Sequence, residues 1–277
     1  MDKVCERPFT FIIPIRNPKD SKVKDYQCIE AVFKQTLQSL RRQTYSNIRI
    51  IVVCHKIPLW CDEVNDKTIF LNVDHIPVFP PNTNPVKVDK GLKYIIGLIY
   101  AKNELNSDLT MLMDCDDYIN VELASFLKNE KQKILNKEKI DGFLVQKGLN
   151  VEMAVSPNYF LNYKVSYIVK NFAATCGSCR IFVLDKLIKR LQEIDQNIEN
   201  RINSWVSTDQ EGVFKVSSES AIWLSDKTKE TYLNEDSIVD LLGRHIKQKD
   251  YFNFHPLDLI GAAKGCGHDN HDGPKQG

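Results

Sequence analysis

Asp114, Asp116 and Asp117 are the residues best suited by type and spacing to do chemistry: three carboxylates in four positions, interrupted only by Cys115 and preceded by the apolar run Leu109-Thr-Met-Leu-Met113. Carboxylates this close repel one another unless a cation compensates. Hard divalent ions such as Mg²⁺ and Mn²⁺ take oxygen ligands and keep positions open for diphosphate oxygens, so one or two carboxylates are enough from the protein. On an extended segment, alternation would send Asp114 and Asp116 to the same side. The same three residues also suit a solvated acidic turn ahead of a helix, because aspartate favours turns and helix starts.

Two further groups carry ligand-type side chains. Cys176 and Cys179, taken with Cys266 and His268, offer donors suited to tetrahedral zinc, although the second half has no matching CxxC pair. The stretch Gly265-Cys-Gly-His-Asp-Asn-His-Asp-Gly273 places His268 and His271 between glycines. It reads either as a flexible ligand-bearing tail or as a disordered polar terminus.

These residues need a scaffold, and the chain is long enough to supply one. Its 277 residues, 43% of them hydrophobic, suffice for one large α/β domain or two small ones sharing a core. Lysine plus arginine number 37 against 36 acidic residues, so no global field exists to hold a nucleic acid or an acidic membrane. Met1–Arg7 is charged and lacks the apolar run of an export signal, which points to a cytoplasmic protein. The most apolar stretch, Tyr94–Ala101, is bounded by Lys93 and Lys102, too short for a bilayer span, and reads as a core helix. Eight irregularly spaced cysteines do not form the pattern of a disulfide scaffold.

The first half alternates short apolar runs with helical periods, the pattern of βαβ units in a mainly parallel sheet flanked by helices. Strands are predicted at Phe9–Pro14, Ile48–Val53, Lys67–Val73 and Leu109–Met113, with helices over Cys28–Gln43 and Asp89–Ala101. Ligands in such sheets gather beyond the carboxyl ends of the strands, where the acidic cluster falls. In the second half the pattern predicts helices over Val121–Asn136, Leu184–Gln196 and Ser237–Gln248 and a strand at Gly142–Gln146. Asn197–Lys229 shows no clear period and reads as an insertion, and the chain after Leu257 is rich in glycine and histidine. Residues 1–120 are expected to form one half and 121–277 the other half of a single domain.

Three segments in order resemble family 2 glycosyltransferases of the GT-A fold. They are Phe11-Ile-Ile-Pro-Ile-Arg-Asn17, Leu37-Gln-Ser-Leu-Arg-Arg-Gln-Thr-Tyr-Ser-Asn-Ile-Arg-Ile-Ile-Val-Val53 and Asp108-Leu-Thr-Met-Leu-Met-Asp-Cys-Asp-Asp-Tyr-Ile119, the last similar to the family's DxD region. The resemblance implies a Rossmann-like nucleotide-diphospho-sugar transferase that uses Mn²⁺ or Mg²⁺. Its donor would be a nucleotide-diphosphate sugar, a UDP-sugar by analogy. The acceptor would be a saccharide or lipid-linked, with a role in surface polysaccharide synthesis and peripheral association with the inner membrane surface. Asp116 would bind the metal, Asp114 would lie near ribose, phosphates and metal, and Asp117 would orient the site or contact the sugar. Cys115, Pro14, Arg16 and Asn17 would line the donor. Lys87, Asp89 and Lys90 stand where the family places donor contacts, which a solvated helix start explains nearly as well.

One departure stands out. The family's acidic pair after the second strand is replaced by Cys54-His55-Lys56, so base recognition would fall to His55, main-chain groups or Asp74. Gly177 and Ser178 would belong to a small-residue loop on the acceptor side, and His268 or His271 could reach back to the metal. An inverting transfer needs a carboxylate to take the acceptor's proton. Glu235-Asp236, just before the helix predicted from Ser237, is similar to the family's acidic pair, and Asp209 competes with it. A plain helix amino terminus also explains Glu235-Asp236. Two rivals are a nucleotidyltransferase, which the glycine-free Ile15-Arg-Asn-Pro-Lys19 argues against, and a degenerate nucleotide- or carbohydrate-binding module that has lost turnover.

Overall fold

A computed structural model of the chain describes residues 6–20, 22–63, 67–74, 85–135, 140–155, 161–174, 176–194, 206–208, 214–216, 242 and 252–266. Along these residues the elements are β1 (Phe9–Pro14), α1 (Tyr26–Arg41), β2 (Ile48–Cys54), β3 (Thr68–Asn72), α2 (Pro85–Asn103), β4 (Leu109–Leu112), β5 (Tyr118–Ile119) and α3 (Leu123–Leu135). There follow β6 (Gly142–Val155), β7 (Leu161–Val169), β8 (Arg180–Val183), α4 (Leu184–Ile194), β9 (Val206–Thr208), β10 (Phe214–Val216) and β11 (Phe254–Cys266). The chain divides into two compact units: residues 1–17, 47–111 and 182–252 form the first, and 18–46, 112–181 and 253–277 the second. It is a mixed α/β protein.

The first unit is built on a mainly parallel sheet, β4-β1-β2-β3-β10-β9. β1 and β2 pair from Phe9↔Ile48 to Pro14↔Val53, β2 pairs with β3 and β3 with β10 in the same sense, and β9 pairs with β10 antiparallel. Every residue of β1 is buried, which is why it reads as a continuous apolar run rather than an alternating one. Helix α2 packs close on β1 because Gly97 has no side chain: a Cβ there would run into Ile12. At the far end of α2 the Arg7 guanidinium gathers the carbonyls of Asn106 (2.8 Å) and Ser107 (2.6 Å) and the Asp185 carboxylate (2.9 Å). Asn106 adopts φ 46°, a left-handed conformation that asparagine tolerates better than most residues. The bond from Arg7 holds the Asp185 carboxyl below the usual range, and Lys102 adds to it.

In the second unit β6 is the longest strand. β11 runs parallel to it from Phe254↔Gly142 to Cys266↔Glu152, β7 antiparallel from Gly148↔Val169 to Val155↔Leu161, and β5 adds to β11 at Ala262↔Ile119. Asp141 and Asn253 clasp the start of the β6–β11 pair, the Asp141 N–H donating to the Asn253 carbonyl (2.7 Å) and the Asn253 N–H to the Asp141 carboxylate (2.9 Å). Val32 of α1 and Val151 of β6 form a buried contact, with Tyr118 and Leu149 packed around it.

The predicted strands and helices of the first half appear within a few residues of their expected ends. Segments of the second half differ, and β7 and β8 are strands the periodicity did not predict. β6 continues to Val155, past the expected end at Gln146, because the polar residues Gln146, Lys147, Asn150 and Glu152 break the apolar run while backbone pairing with β7 and β11 carries the strand on. The stretch after Leu257 is not all tail, since β11 extends to Cys266 and its glycines Gly261 and Gly265 lie within the strand. The expected insertion contains the short strands β9 and β10. Of the predicted helix Ser237–Gln248 only Leu242 lies among the described residues, helical and buried.

Gly148 shows how closely this unit is packed, since a Cβ there would meet the ring of Phe172, itself fully buried. A rigid buried ring has little room to yield, so Gly148→Ala should lower stability by about 2 kcal/mol. Chemical denaturation of the two proteins measures this; equal midpoints would show that the ring moves aside freely.

Candidate active site

Within the second unit the chain leaves β4 through Met113 and turns at once. The Asp117 N–H points back to the Asp114 carbonyl (3.4 Å), so Asp114–Asp117 is a turn rather than the extended segment the alternation suggested. The turn brings all three carboxylates together, with one oxygen from each lying within 4.8 Å of the others. Asp116 and Asp117 are buried and Asp114 is half-buried.

Buried carboxylates at this spacing need fixed partners. The turn Cys176–Cys179 provides two of them. Ser178, fully buried, accepts the Asp114 N–H at 2.7 Å and hydrogen-bonds the Asp117 carboxylate, and the Cys176 thiol donates to Asp117 Oδ2 at 3.2 Å. From α1, Thr36 Oγ1 donates to the Cys115 carbonyl at 2.9 Å. Burial raises the Asp117 carboxyl to about 8, the Asp116 and Asp114 charges add to the rise, and the bonds from Ser178 and Cys176 work against it. The Cys176 thiol is pushed up as well, first by burial and then by the Asp117 charge.

Ser178, expected on the acceptor side, is thus engaged with the acidic turn, with Gly177 half-buried beside it. Cys179, a buried thiol, donates to the Cys176 carbonyl (3.0 Å). The donor set of the cluster is hard oxygen, which fits Mg²⁺ or Mn²⁺ and gives an ion a reason to bind: it would relieve the repulsion that burial intensifies.

The first unit holds a different polar group. Lys93 is fully buried, its ammonium donating to the Ile15 carbonyl and to Asp89 Oδ2, both at 2.6 Å. His55, buried at the end of β2, lies 3.9 Å from the other Asp89 oxygen. Pro14, the last residue of β1, and Asn17 beyond it are buried, Arg16 is half-buried, and Lys90 sits 5.7 Å from the centre of the Tyr94 ring. Asp74 is exposed just past β3, and Lys87 is half-buried in the first turn of α2. Asp89 is therefore an ion-pair partner rather than a solvated helix start. Lys93 was missed by sequence reading, although the i, i+4 spacing from Asp89 on an otherwise apolar face was a signal for the pair. Asp209, Glu235, Asp236, His268 and His271 lie outside the described residues, as does the Cys266 side chain.

No protein-family model matches the chain, and no curated protein matches it. Among solved structures, it is similar to S. aureus TarS at 13% identity over 94% of this chain and 37% of that one, with a TM-score of 0.45. Against S. aureus TarS 1-349 in complex with UDP-GlcNAc the identity is 13% over 96% of this chain and 61% of that chain, with a TM-score of 0.44. Mannose-6-phosphate isomerase from Helicobacter pylori gives 16% over 79% of this chain and 88% of that one, at 0.34. The chain thus spans 37% to 61% of the length of these TarS structures.

The protonation of Asp117 gives the site a pH signature. Its folded value of about 8 lies above the ordinary 3.8, so between those values the folded state keeps a proton that the unfolded chain has lost. That contribution to stability is complete below the ordinary value and is lost as pH rises through about 8. The metal-free melting temperature of wild type should therefore fall more steeply than that of Asp117→Asn as pH rises from about 5 to about 9. An ion bound here would have to displace the proton, so stabilisation by added Mn²⁺ would grow over the same range. Parallel melting curves for the two proteins would mean that Asp117 ionises freely.

Proposed function

We propose that this protein is a metal-dependent glycosyltransferase of the GT-A arrangement, related to family 2, that transfers a sugar from a nucleotide-diphosphate donor to a saccharide or lipid-linked hydroxyl. The observation that carries the reading is the convergence of Asp114, Asp116 and Asp117 within 4.8 Å directly after β4, two of them buried and all on a turn fixed by neighbouring side chains. Three carboxylates this close, two of them buried, are unfavourable without a cation, whereas with Mn²⁺ or Mg²⁺ they would become a cradle for diphosphate oxygens. Asp116 and Asp114 would hold the ion. When bound, it supplies electrostatic stabilisation to the negative charge gathering on the leaving diphosphate.

The chain's own groups do the rest. Ser178 and Cys176 keep Asp117 in register with the turn, leaving it to orient the site or meet the donor sugar. The roles proposed for Pro14, Arg16, Asn17, Cys115, Lys90 and the pair His55–Asp89 in holding the nucleotide go with the same reading, as do those of Gly177 towards the acceptor and His268 towards the metal. Asp236, with Glu235, is the base proposed to take the proton from the attacking hydroxyl in an inverting displacement, and Asp209 is its competitor. Surface polysaccharide synthesis and peripheral membrane association follow as the biological setting.

Incubation with nucleotide-diphosphate sugars and Mn²⁺ tests the reading. The expected product is free nucleoside diphosphate. Pyrophosphate would indicate nucleotidyl transfer, and no product from any donor would leave a binding module. Asp116→Asn should lower turnover by roughly a hundredfold or more, consistent with loss of charge stabilisation at the reacting diphosphate. Asp236→Asn should abolish transfer while donor binding, followed by thermal shift, stays as in wild type. Near wild-type turnover of Asp236→Asn would move the base to Asp209.

A further inference from the structure

One face of α1 carries polar residues where an amphipathic helix would bury apolar ones. Thr36, Ser39 and Gln43, the last just beyond the helix end, recur at three and four, the spacing that aligns side chains on one side. Thr36 is fully buried and Gln43 nearly so. A threonine inside a helix ordinarily returns its proton to the carbonyl four residues back. Here that oxygen, on Val32, lies at 3.5 Å while the Cys115 carbonyl lies at 2.9 Å, so the hydroxyl serves the acidic turn in preference to its own helix.

The other two continue the pattern along the same stretch of chain. Ser39 Oγ accepts the Ile119 N–H at 3.3 Å while donating to the Thr36 carbonyl at 2.8 Å. Gln43 uses both ends of its amide, Nε2 donating to the Asn120 carbonyl (2.7 Å) and Oε1 accepting the Ala124 N–H (3.1 Å) in the first turn of α3. Read along the helix, residues 36, 39 and 43 thus meet residues 115, 119, 120 and 124 in the same order.

We propose that this stripe is the template that sets the shape of the acidic turn, and that Thr36 is a positioning residue for the carboxylates. The inference rests on the metal-binding reading of Asp114, Asp116 and Asp117 given above. Cys115 is the one residue between Asp114 and Asp116, and its carbonyl lies in the peptide plane that leads into Asp116, so the Thr36 bond holds the turn between the two carboxylates. Without the Thr36 bond the turn can rotate, and the carboxylates lose their common focus while the strand and helix on either side remain.

The test compares Thr36→Val, which keeps shape and loses the hydroxyl, with Thr36→Ser, which keeps the hydroxyl. Mn²⁺ affinity is read directly from loss of the free-ion electron paramagnetic resonance signal on titration with the full chain. Thr36→Val should bind Mn²⁺ roughly tenfold more weakly than wild type, with Thr36→Ser restored to within about twofold, in line with the effect of residues that orient metal ligands. A merely structural role would lower the metal-free melting temperature of Thr36→Val and leave its Mn²⁺ affinity alone, and that result overturns the proposal. Should Thr36→Val fail to fold, Ser39→Ala, which removes the acceptor for Ile119, replaces it: weakened Mn²⁺ binding supports the template and wild-type affinity overturns it. Mn²⁺ bound by none of the proteins, wild type included, overturns the metal reading itself and this inference with it.

Discussion

The mutual repulsion of three carboxylates gathered on a turn, two of them buried, is the constraint to which the rest of the second unit answers. Negative charges a few ångströms apart in a poorly solvated place cost far more than they would in water. The fold meets that cost from three directions: a buried serine that receives the Asp114 N–H and bonds Asp117, a thiol that donates to Asp117, and a helix hydroxyl that ties down the Cys115 carbonyl. Donors on this scale lower the cost without abolishing it. The remainder appears as the raised Asp117 carboxyl, which keeps its proton at neutral pH in the absence of a cation. In the proposed reading a divalent ion would relieve that remainder.

The first unit handles buried charge in another way. Lys93 has no access to solvent, yet its ammonium is bound both by the Asp89 carboxylate and by the carbonyl of Ile15. A carbonyl at the end of a parallel strand would otherwise lack a partner where the chain leaves the sheet. The lysine therefore ties the end of β1 to the first turns of α2, and it fixes one oxygen of Asp89 while the other lies towards His55. Removing Asp89 would leave the buried Lys93 ammonium without its counter-charge, so the lysine depends on that carboxylate.

Close backbone approach links these polar groups to the apolar core. Gly97 lets α2 lie against Ile12 of β1, and Gly148 lets the Phe172 ring lie against β6. Phe172 opens the short helical turn Phe172–Ala174, and the Cys176 N–H donates back to its carbonyl at 2.9 Å. The packing of one ring on one glycine thus helps to set where Cys176 and Ser178 begin, and through them where the acidic turn is held.

Much of this protein could be read from the order of its residues. Apolar periodicity is local, so β1, β2, α1, α2 and β4 were legible, and so was the acidic run after β4, because the chemistry of neighbouring carboxylates does not depend on the rest of the chain. What the sequence left undetermined were the contacts that link distant residues. Thr36 is 79 positions from Cys115 and Cys176 is 59 from Asp117, and no spacing rule joins them. The continuation of β6 beyond Gln146 and the strand character of Gly261 and Gly265 likewise came from pairing with β7 and β11. Backbone hydrogen bonds between strands depend on what lies alongside, and polar or glycine-rich segments give no local sign of it. Tertiary structure alone decided that Asp117 joins the other two carboxylates, because only the turn and its long-range donors fold the three side chains towards one point.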